Sequence, residues 1–196
     1  MENIDKRNRI LTAAAQVFAK KGFHNSRISE IAKKADVAEG TIYLYFKNKD
    51  ELLTTLFEHE MAAVIAEMKE ELNKIDDPRE KIKKFIDRHL ALIDEKRELA
   101  EVIQIELRQS HKFMKEYKGT KFRDYLNLIS AIISQGQKQG VFREEVIPGI
   151  AKRILFGALD EISNYWVLSS YKRYNLEVTA AEIADIFIKG ICTKPQ

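Results

Sequence analysis

The feature that most constrains this chain is a helical repeat of apolar residues that runs almost without interruption. Apolar side chains recur at spacings of three and four along nearly the whole length, and no segment with turn signals alternates between apolar and polar residues. Helix-breaking residues are rare, with 8 Gly and 3 Pro among 196 residues. The sequence therefore predicts an all-α protein of about nine helices.

Glycines and capping residues divide this repeat. Gly22 ends the first predicted helix, and Ser26 or Asn25 lies near the N-cap of the second. Asn48 followed by Glu51 resembles a capping box and starts a much longer helix. We therefore expect two domains, one over residues 1–48 and one over residues 49–196.

Charge is unevenly distributed between these two parts. Residues 1–50 contain ten basic and six acidic side chains, so the overall net charge of +3 conceals a basic N-terminal segment on a nearly neutral remainder. An excess of positive charge in one segment suits a polyanionic partner.

Several classes of protein are excluded. No apolar run approaches the roughly 18 residues that span a bilayer, so we expect no membrane association. Cys192 is the only cysteine, which excludes an internal disulfide and favours a reducing, cytoplasmic setting. His59 and Glu60 lack the second histidine of a zinc-protease helix, because position 63 is Ala63. We expect no enzyme activity, no metal and no cofactor.

The first fifty residues predict a helix-turn-helix, in which the third helix enters the major groove of DNA. The angle between the second and third helices would be packed by Ile31, Ala32, Val37, Ile42 and Phe46. Hydroxyls and cations would face outward around a helix N-terminus, which suits phosphate oxygens. These outward residues are Ser29, Glu39, Gly40, Thr41, Tyr43, Leu44, Tyr45, Lys47 and Lys49.

The segment from Ile31 to Leu52, IAKKADVAEGTIYLYFKNKDEL, resembles the signature of TetR-family transcriptional repressors. Asp36 stands where that family usually has glycine, and a left-handed backbone there still tolerates aspartate. Arg27 stands where threonine or serine is common. The resemblance covers roughly the first 55 residues and implies a homodimer that binds palindromic double-stranded operator DNA.

The resemblance also implies roles for individual residues. Tyr45, Lys49 and the backbone amides near Gly40 and Thr41 would bind phosphates, while Thr41, Tyr43 and Ser29 would approach bases. As an alternative, Tyr43 and Tyr45 are packing aromatics. The expected DNA-binding set is Arg27, Ser29, Glu39, Gly40, Thr41, Tyr43, Leu44, Tyr45, Lys47 and Lys49.

By the same resemblance, the helices after residue 48 form a ligand-binding and dimerisation domain. Small residues in the helix near 155–168 permit close helix approach, with larger apolar residues around them. The expected dimer interface is Leu155, Gly157, Ala158, Leu159, Ile162, Ala184, Phe187, Ile188 and Ile191. The alternative is that these residues pack within one chain.

A predicted helix over Leu99–Ser110 places Glu106 among apolar residues, with Gln109 at the edge. Burying a carboxylate is costly unless a partner answers it. Glu106 therefore faces either a cavity or a buried partner such as His89, and a satisfied core contact is the alternative. Arg108 projects from another face, towards a surface salt bridge or an anionic group at a pocket mouth.

Two short segments, residues 105–110 and 154–161, together with Trp166, resemble the acyl-CoA-responsive regulators of fatty-acid degradation within that family, the Bacillus-type FadR group. This narrower resemblance implies control of fatty-acid metabolism genes and release of DNA by long-chain acyl-CoA. The expected ligand-binding set is Phe85, His89, Ile103, Glu106, Leu107, Arg108, Gln109, Leu126 and Trp166. The alternative is a multidrug-type repressor that senses hydrophobic or cationic small molecules.

Overall fold

The structure, a computed structural model, describes residues 2–95, 100, 120–169 and 173–193. Within these residues every regular element is an α-helix, which confirms the predicted all-α class. The predicted helix over Leu99–Ser110 lies outside the described residues, apart from residue 100. The eight described helices are α1 (Glu2–Lys21), α2 (Ile28–Ala35), α3 (Glu39–Tyr45), α4 (Lys49–Asn73), α5 (Pro78–Glu95), α6 (Lys121–Lys138), α7 (Pro148–Leu168) and α8 (Leu176–Ile191).

The chain divides into two compact units. The described residues of unit 1 are 2–60 and 100, and those of unit 2 are 61–95, 120–169 and 173–193. Helix α4 contains residues of both units. The boundary predicted between residues 48 and 49 stays a prediction.

In unit 1, α1 ends where the sequence predicts. Gly22 follows it with a positive φ of 74°, a conformation that glycine adopts without strain. The predicted N-cap of α2 is corrected, because Arg27 rather than Ser26 or Asn25 occupies that position. Ser26 is instead buried, and its hydroxyl lies 2.6 Å from the carbonyl oxygen of Gly22 and 3.2 Å from that of Val17. Ser26 therefore holds the loop to the end of α1.

The turn between α2 and α3 explains how aspartate replaces glycine. Asp36 has φ 53° and ψ 53°, the left-handed conformation, and its amide donates to the carbonyls of Ala32 and Lys33. Arg9 of α1 donates to the carbonyl oxygens of Ala35 at 2.6 Å and Asp36 at 3.0 Å. A guanidinium at a helix C-terminus satisfies carbonyls that lack helical partners and complements the helix dipole.

The core of unit 1 follows the predicted pattern. Ile31, Ala32, Ile42 and Phe46 are buried between the short helices, and Val37 is half-buried. These apolar contacts fix the orientation of α3, which at seven residues is too short to be stable alone.

Helix α4 begins with the predicted cap, with one difference. Asn48 Oδ1 accepts the amide of Glu51 at 2.8 Å, as a capping box requires. The carboxylate of Glu51 accepts the amide of Lys47 at 2.6 Å rather than that of Asn48. The side chains of Asn48 and Glu51 therefore both cap the start of α4, but the amide that Glu51 accepts lies one residue earlier than in a standard capping box.

In unit 2, α5 packs against α6, α7 and α8. Along α5, the apolar residues Ile82, Phe85, Ile86 and Ile93 recur at helical spacing and are all buried. Apolar residues of the other helices complete this core, namely Tyr125, Ile129, Ile133, Leu155, Leu159, Ala184 and Phe187.

A close contact follows α6. Phe142 is fully buried against Gly136, where an added Cβ atom would overlap the ring and lie only 2.8 Å from its Cγ atom. The amides of Val141 and Phe142 both donate to the carbonyl of Gly136, at 2.9 and 3.1 Å. Glycine at 136 is therefore required by packing rather than by its backbone angles.

Arg88 connects α5 to the part of α4 in unit 2. Its guanidinium is bidentate to Glu95 at 2.7 Å and lies 3.3 Å from the carboxylates of Glu67 and Glu71. The side chain is one-fifth exposed. Such a partly buried network contributes more than an isolated surface ion pair.

Candidate functional site

Helix α3 turns one face inward and the opposite face to solvent. Ile42 and Phe46 anchor it, with only 1% and 2% of their surface exposed. On the other face, Leu44 is 83% exposed and Tyr43 is 52% exposed. Lys47 follows directly and is exposed. Unit 1 therefore presents an apolar and a phenolic group on one short helix, with a cationic group shortly after its end.

Gly40 lies on this face and has no internal reason to be glycine. A Cβ atom built there meets no atom of the described residues within 4 Å, and the φ of Gly40 is not positive. Glycine in a helix costs about 0.5–1 kcal/mol relative to alanine. A binding partner whose atoms approach the backbone at this position would explain why it is glycine.

Most other members of the predicted DNA-binding set also reach the surface of unit 1. Arg27, Ser29 and Glu39 are exposed, and Thr41 and Tyr45 are half-buried. Glu39 and Thr41 lie in the first turn of α3 and Tyr45 is its last residue, whereas Arg27 and Ser29 lie at the start of α2.

Lys49 is different, because its charge is used inside the chain. Its ammonium group donates to the carbonyl oxygens of Phe23 at 2.7 Å, Ser26 at 3.0 Å and His24 at 3.3 Å. It also lies 4.5 Å from the centre of the Phe23 ring. An ammonium has three N–H donors, and all three are committed here. These contacts favour a role for Lys49 in holding the loop between α1 and α2, and its expected phosphate contact stays a prediction.

A buried polar chain links three helices of unit 2. His89 of α5 lies 2.7 Å from the Tyr125 hydroxyl of α6 through Nδ1, and 3.3 Å from Ser163 Oγ of α7 through Nε2. Ser163 donates to the carbonyl of Leu159 at 2.7 Å. Tyr125 and Ser163 are almost fully buried. Of these, only His89 belongs to the predicted ligand-binding set.

The hydrogen positions in this chain follow from its geometry. Ser163 has one hydroxyl hydrogen, which goes to Leu159, so its oxygen accepts from His89 Nε2–H. In the neutral imidazole, His89 Nδ1 then carries no hydrogen and accepts from the Tyr125 hydroxyl. Burial raises the pKa of the Tyr125 hydroxyl above its ordinary 10.0, so this hydroxyl stays protonated and able to donate.

Aromatic rings surround His89. Its ring centre lies 6.4 Å from that of Phe85 and 6.0 Å from that of Phe156. Phe122 lies edge-on to Phe156, with ring centres 5.3 Å apart. Phe122 and Phe156 are only half-buried. Unit 2 therefore contains a partly accessible apolar wall around one polar ring.

The other predicted ligand-binding residues are divided between described and undescribed parts. Leu126 and Trp166 are half-buried, and the Trp166 indole N–H lies 3.4 Å from the Asp94 carboxylate. The remaining five, Ile103, Glu106, Leu107, Arg108 and Gln109, lie outside the described residues.

The expected dimer-interface residues separate into two groups. The first group is buried within the single chain, so for these residues the structure supports the intramolecular alternative. This group comprises Leu155, Leu159, Ala184, Phe187 and Ile191. A side chain already covered by its own chain has little surface left for a partner. The second group keeps accessible surface, with Gly157 and Ala158 exposed and Ile162 and Ile188 half-buried.

A set of exposed apolar residues, not predicted from the sequence as an interface, lies on the same two helices. On and just before α7 it comprises Ile147, Ile150 and Ile154, the last 62% exposed. On α8 it comprises Val178 and Ile186. We call these five residues the isoleucine stripe. The three residues at α7 follow spacings of three and four and so share one face of the helix, and an exposed apolar face of this kind is typical of a binding surface.

The described residues carry neither of two other kinds of site. None of their helices combines the length and apolar character needed to cross a bilayer. Their His, Cys, Asp and Glu side chains form no group of three or more able to hold a metal ion.

Comparison with known proteins agrees with this arrangement. Residues 10–56 match the family described as bacterial regulatory proteins, tetR family, and residues 57–190 match the YsiA-like protein C-terminal region. The fatty acid metabolism regulator protein of Bacillus subtilis is 36% identical over 185 residues, which cover 94% of this chain and 95% of that protein.

Two solved structures extend the similarity to three dimensions. The transcriptional regulator FadR from Bacillus subtilis in complex with stearoyl-CoA is 35% identical, with a TM-score of 0.86 over 93% of this chain and 98% of its own. The fatty acid degradation regulator FadR from Bacillus halodurans is 34% identical, with a TM-score of 0.85 and the same coverage. The chain therefore belongs to the TetR family of bacterial regulatory proteins, with a C-terminal region of the YsiA-like type.

Proposed function

We propose that this protein is a homodimeric repressor that binds palindromic operator DNA through unit 1 and releases it when long-chain acyl-CoA binds unit 2. The genes it controls are those of fatty-acid metabolism. The observation that carries this proposal is the similarity, over 93% of the chain, to a relative solved with stearoyl-CoA.

The open position at Gly40 supports the DNA-binding part. A phosphate that approaches the backbone of α3 needs the space a side chain would occupy, while the isolated chain does not. Gly40→Ala should therefore weaken DNA binding about tenfold per protomer, since each protomer loses one hydrogen bond to a charged group at ~1.5 kcal/mol. Its thermal stability should stay equal or rise, because alanine favours the helix.

Gly149→Ala is the matched control, since Gly149 also stands in the first turn of a helix with no atom within 4 Å of a built Cβ. We expect unchanged retardation of DNA selected by the wild-type protein from a random library. Equal retardation by the Gly40 and Gly149 variants would contradict the backbone contact.

The isoleucine stripe supports the dimer. A second copy of the chain would cover it, and the exposed Gly157 beside Ile154 allows two helices to approach closely. Two copies of α3 would then read half-sites about 34–36 Å apart.

Ile154→Asp should convert the dimer to a monomer, because the stripe would then have to bury a charge. Leu44→Asp makes the same change at an exposed apolar residue of unit 1 and should leave the dimer intact. Sedimentation velocity distinguishes the two outcomes. A dimeric Ile154 variant would refute this placement of the interface.

The half-buried aromatic residues around His89 support an apolar effector. The rings of Phe122 and Phe156 offer the kind of surface that an acyl chain covers. Phe156→Ala should raise the stearoyl-CoA concentration needed for half-release of DNA without changing DNA affinity. Tyr174→Ala, at an exposed aromatic residue of unit 2, is the control and should respond like wild type.

The effector class is tested on the protein–DNA complex with four compounds. Stearoyl-CoA should release DNA, whereas CoA alone, stearate and the hydrophobic cation tetraphenylphosphonium should not. The coupling expected for such regulators is about 5- to 150-fold. Release by the cation but not by stearoyl-CoA would favour the multidrug alternative and overturn the lipid assignment.

A further inference from the structure

Leu44 is the most exposed large apolar side chain in the described residues, at 83%. The Leu44 side chain points away from the core, because Ile42 and Phe46 are buried on the opposite side of α3. The chain therefore holds a leucine in water at a defined position on its shortest described helix. No packing contact among the described residues accounts for this placement.

The surroundings of Leu44 restrict what can cover it. Tyr43 is the only other exposed large apolar residue among the described side chains of residues 5–60. A protein or membrane surface generally needs a broader apolar patch than two residues. Lys47 follows Leu44 by three residues in the sequence and is exposed, and the first fifty residues carry excess positive charge. An isolated apolar group within a cationic face suits an anionic partner that offers small apolar contacts.

We propose that Leu44 reads the 5-methyl group of a thymine in the major groove and is a specificity-determining residue. This inference rests on the proposed DNA binding. The thymine methyl is the apolar group that bases present in the major groove, and apolar side chains contact it directly. Tyr43 and Thr41, which carry hydroxyls, suit the neighbouring polar base edges instead.

The test removes the methyl group and leaves everything else in place. DNA is first selected from a random library by the wild-type protein, and each thymine is then replaced singly by deoxyuridine. At the contacted thymine, wild type should lose about fourfold in affinity, which corresponds to ~0.8 kcal/mol at 1.4 kcal/mol per factor of ten. For Leu44→Ala, thymine and deoxyuridine at that position should bind equally.

Three further readouts separate this role from others. Leu44→Met keeps an apolar side chain of similar volume and should retain part of the thymine preference. The salt dependence of binding should be unchanged in Leu44→Ala, because no phosphate contact is removed. Because Leu44 is so exposed, the melting temperature of Leu44→Ala should match that of wild type.

The inference is overturned if no deoxyuridine substitution weakens wild-type binding, or if the sensitive thymine stays sensitive in Leu44→Ala. In the second case Tyr43 or Thr41 reads the methyl group. Failure of the proposed function looks different, because the library would then yield no sequence that the wild-type protein retards.

Discussion

Lys47 and Lys49 are two residues apart, and the structure predicts that removing their charges impairs two different properties of the protein. Both are replaced by methionine, which keeps the apolar stem and removes the charge. Lys49 donates three hydrogen bonds to carbonyl oxygens at 2.7–3.3 Å, whereas the Lys47 side chain is exposed. Lys49→Met should therefore lose stability, and Lys47→Met should lose DNA binding.

The magnitudes follow from these hydrogen bonds. Hydrogen bonds to a charged group contribute about 1.5–3 kcal/mol, and the partial exposure of Lys49 reduces the expected loss to ~2 kcal/mol. For a chain of this size ~2 kcal/mol corresponds to a fall in melting temperature of about 4–8 °C. Lys47→Met should melt within ~1 °C of wild type, since exposed substitutions rarely exceed ~0.5 kcal/mol.

DNA binding should be impaired in Lys47→Met and retained in folded Lys49→Met. Removal of one phosphate-binding cation from each protomer of a dimer lowers the slope of log affinity against log salt by about two. Anisotropy titrations of library-selected DNA between about 50 and 200 mM salt should show this change for Lys47→Met and not for folded Lys49→Met. An unchanged melting temperature together with a reduced slope in Lys49→Met would refute the internal role of Lys49.

Unit 2 yields three further predictions. Gly136→Ala should destabilise the fold by about 3 kcal/mol or unfold it, because the added methyl overlaps Phe142. Gly149→Ala is the control and should melt like wild type. Equal urea midpoints for Gly136→Ala and wild type would contradict the close packing of Gly136 against Phe142. Tyr125→Phe should cost about 0.5–1.5 kcal/mol in urea unfolding, since it removes the hydrogen bond that the Tyr125 hydroxyl donates to His89 Nδ1; a loss below ~0.5 kcal/mol would argue against that hydrogen bond. Because burial raises the pKa of Tyr125, its contribution is fully present below pH 10.0, the ordinary pKa that applies in the unfolded chain, and is lost as pH rises beyond it. Urea titrations above that pH should show a shallower loss for Tyr125→Phe than for wild type, and identical pH profiles would contradict this assignment.

Local rules predicted unit 1 well. Gly22 ends α1, and Asp36 takes the left-handed conformation in place of glycine, because both depend on backbone preferences of single residues. The buried face of α2 and α3 follows from spacing alone. Periodicity is informative here because these helices are short and each has one buried side.

The positions that sequence could not predict depend on residues distant along the chain. Lys49 reaches the carbonyl of Phe23, 26 residues away, and no local pattern distinguishes it from the exposed Lys47. Ile154 and Leu155 are adjacent apolar residues, so spacing does not indicate which one the fold buries; the structure buries Leu155 and exposes Ile154. Nothing in the sequence around Tyr125 indicates that α5 and α6 bring its hydroxyl to His89.

In the proposed mechanism, acyl-CoA binding to unit 2 is coupled to DNA binding by unit 1. The most direct measurement is calorimetric titration of stearoyl-CoA into the free protein and into its complex with library-selected DNA. Linkage requires stearoyl-CoA to bind the complex more weakly by the same factor by which it weakens DNA binding, about 5- to 150-fold. Equal affinity of stearoyl-CoA for the free and DNA-bound protein, or absence of binding to either, would contradict the account.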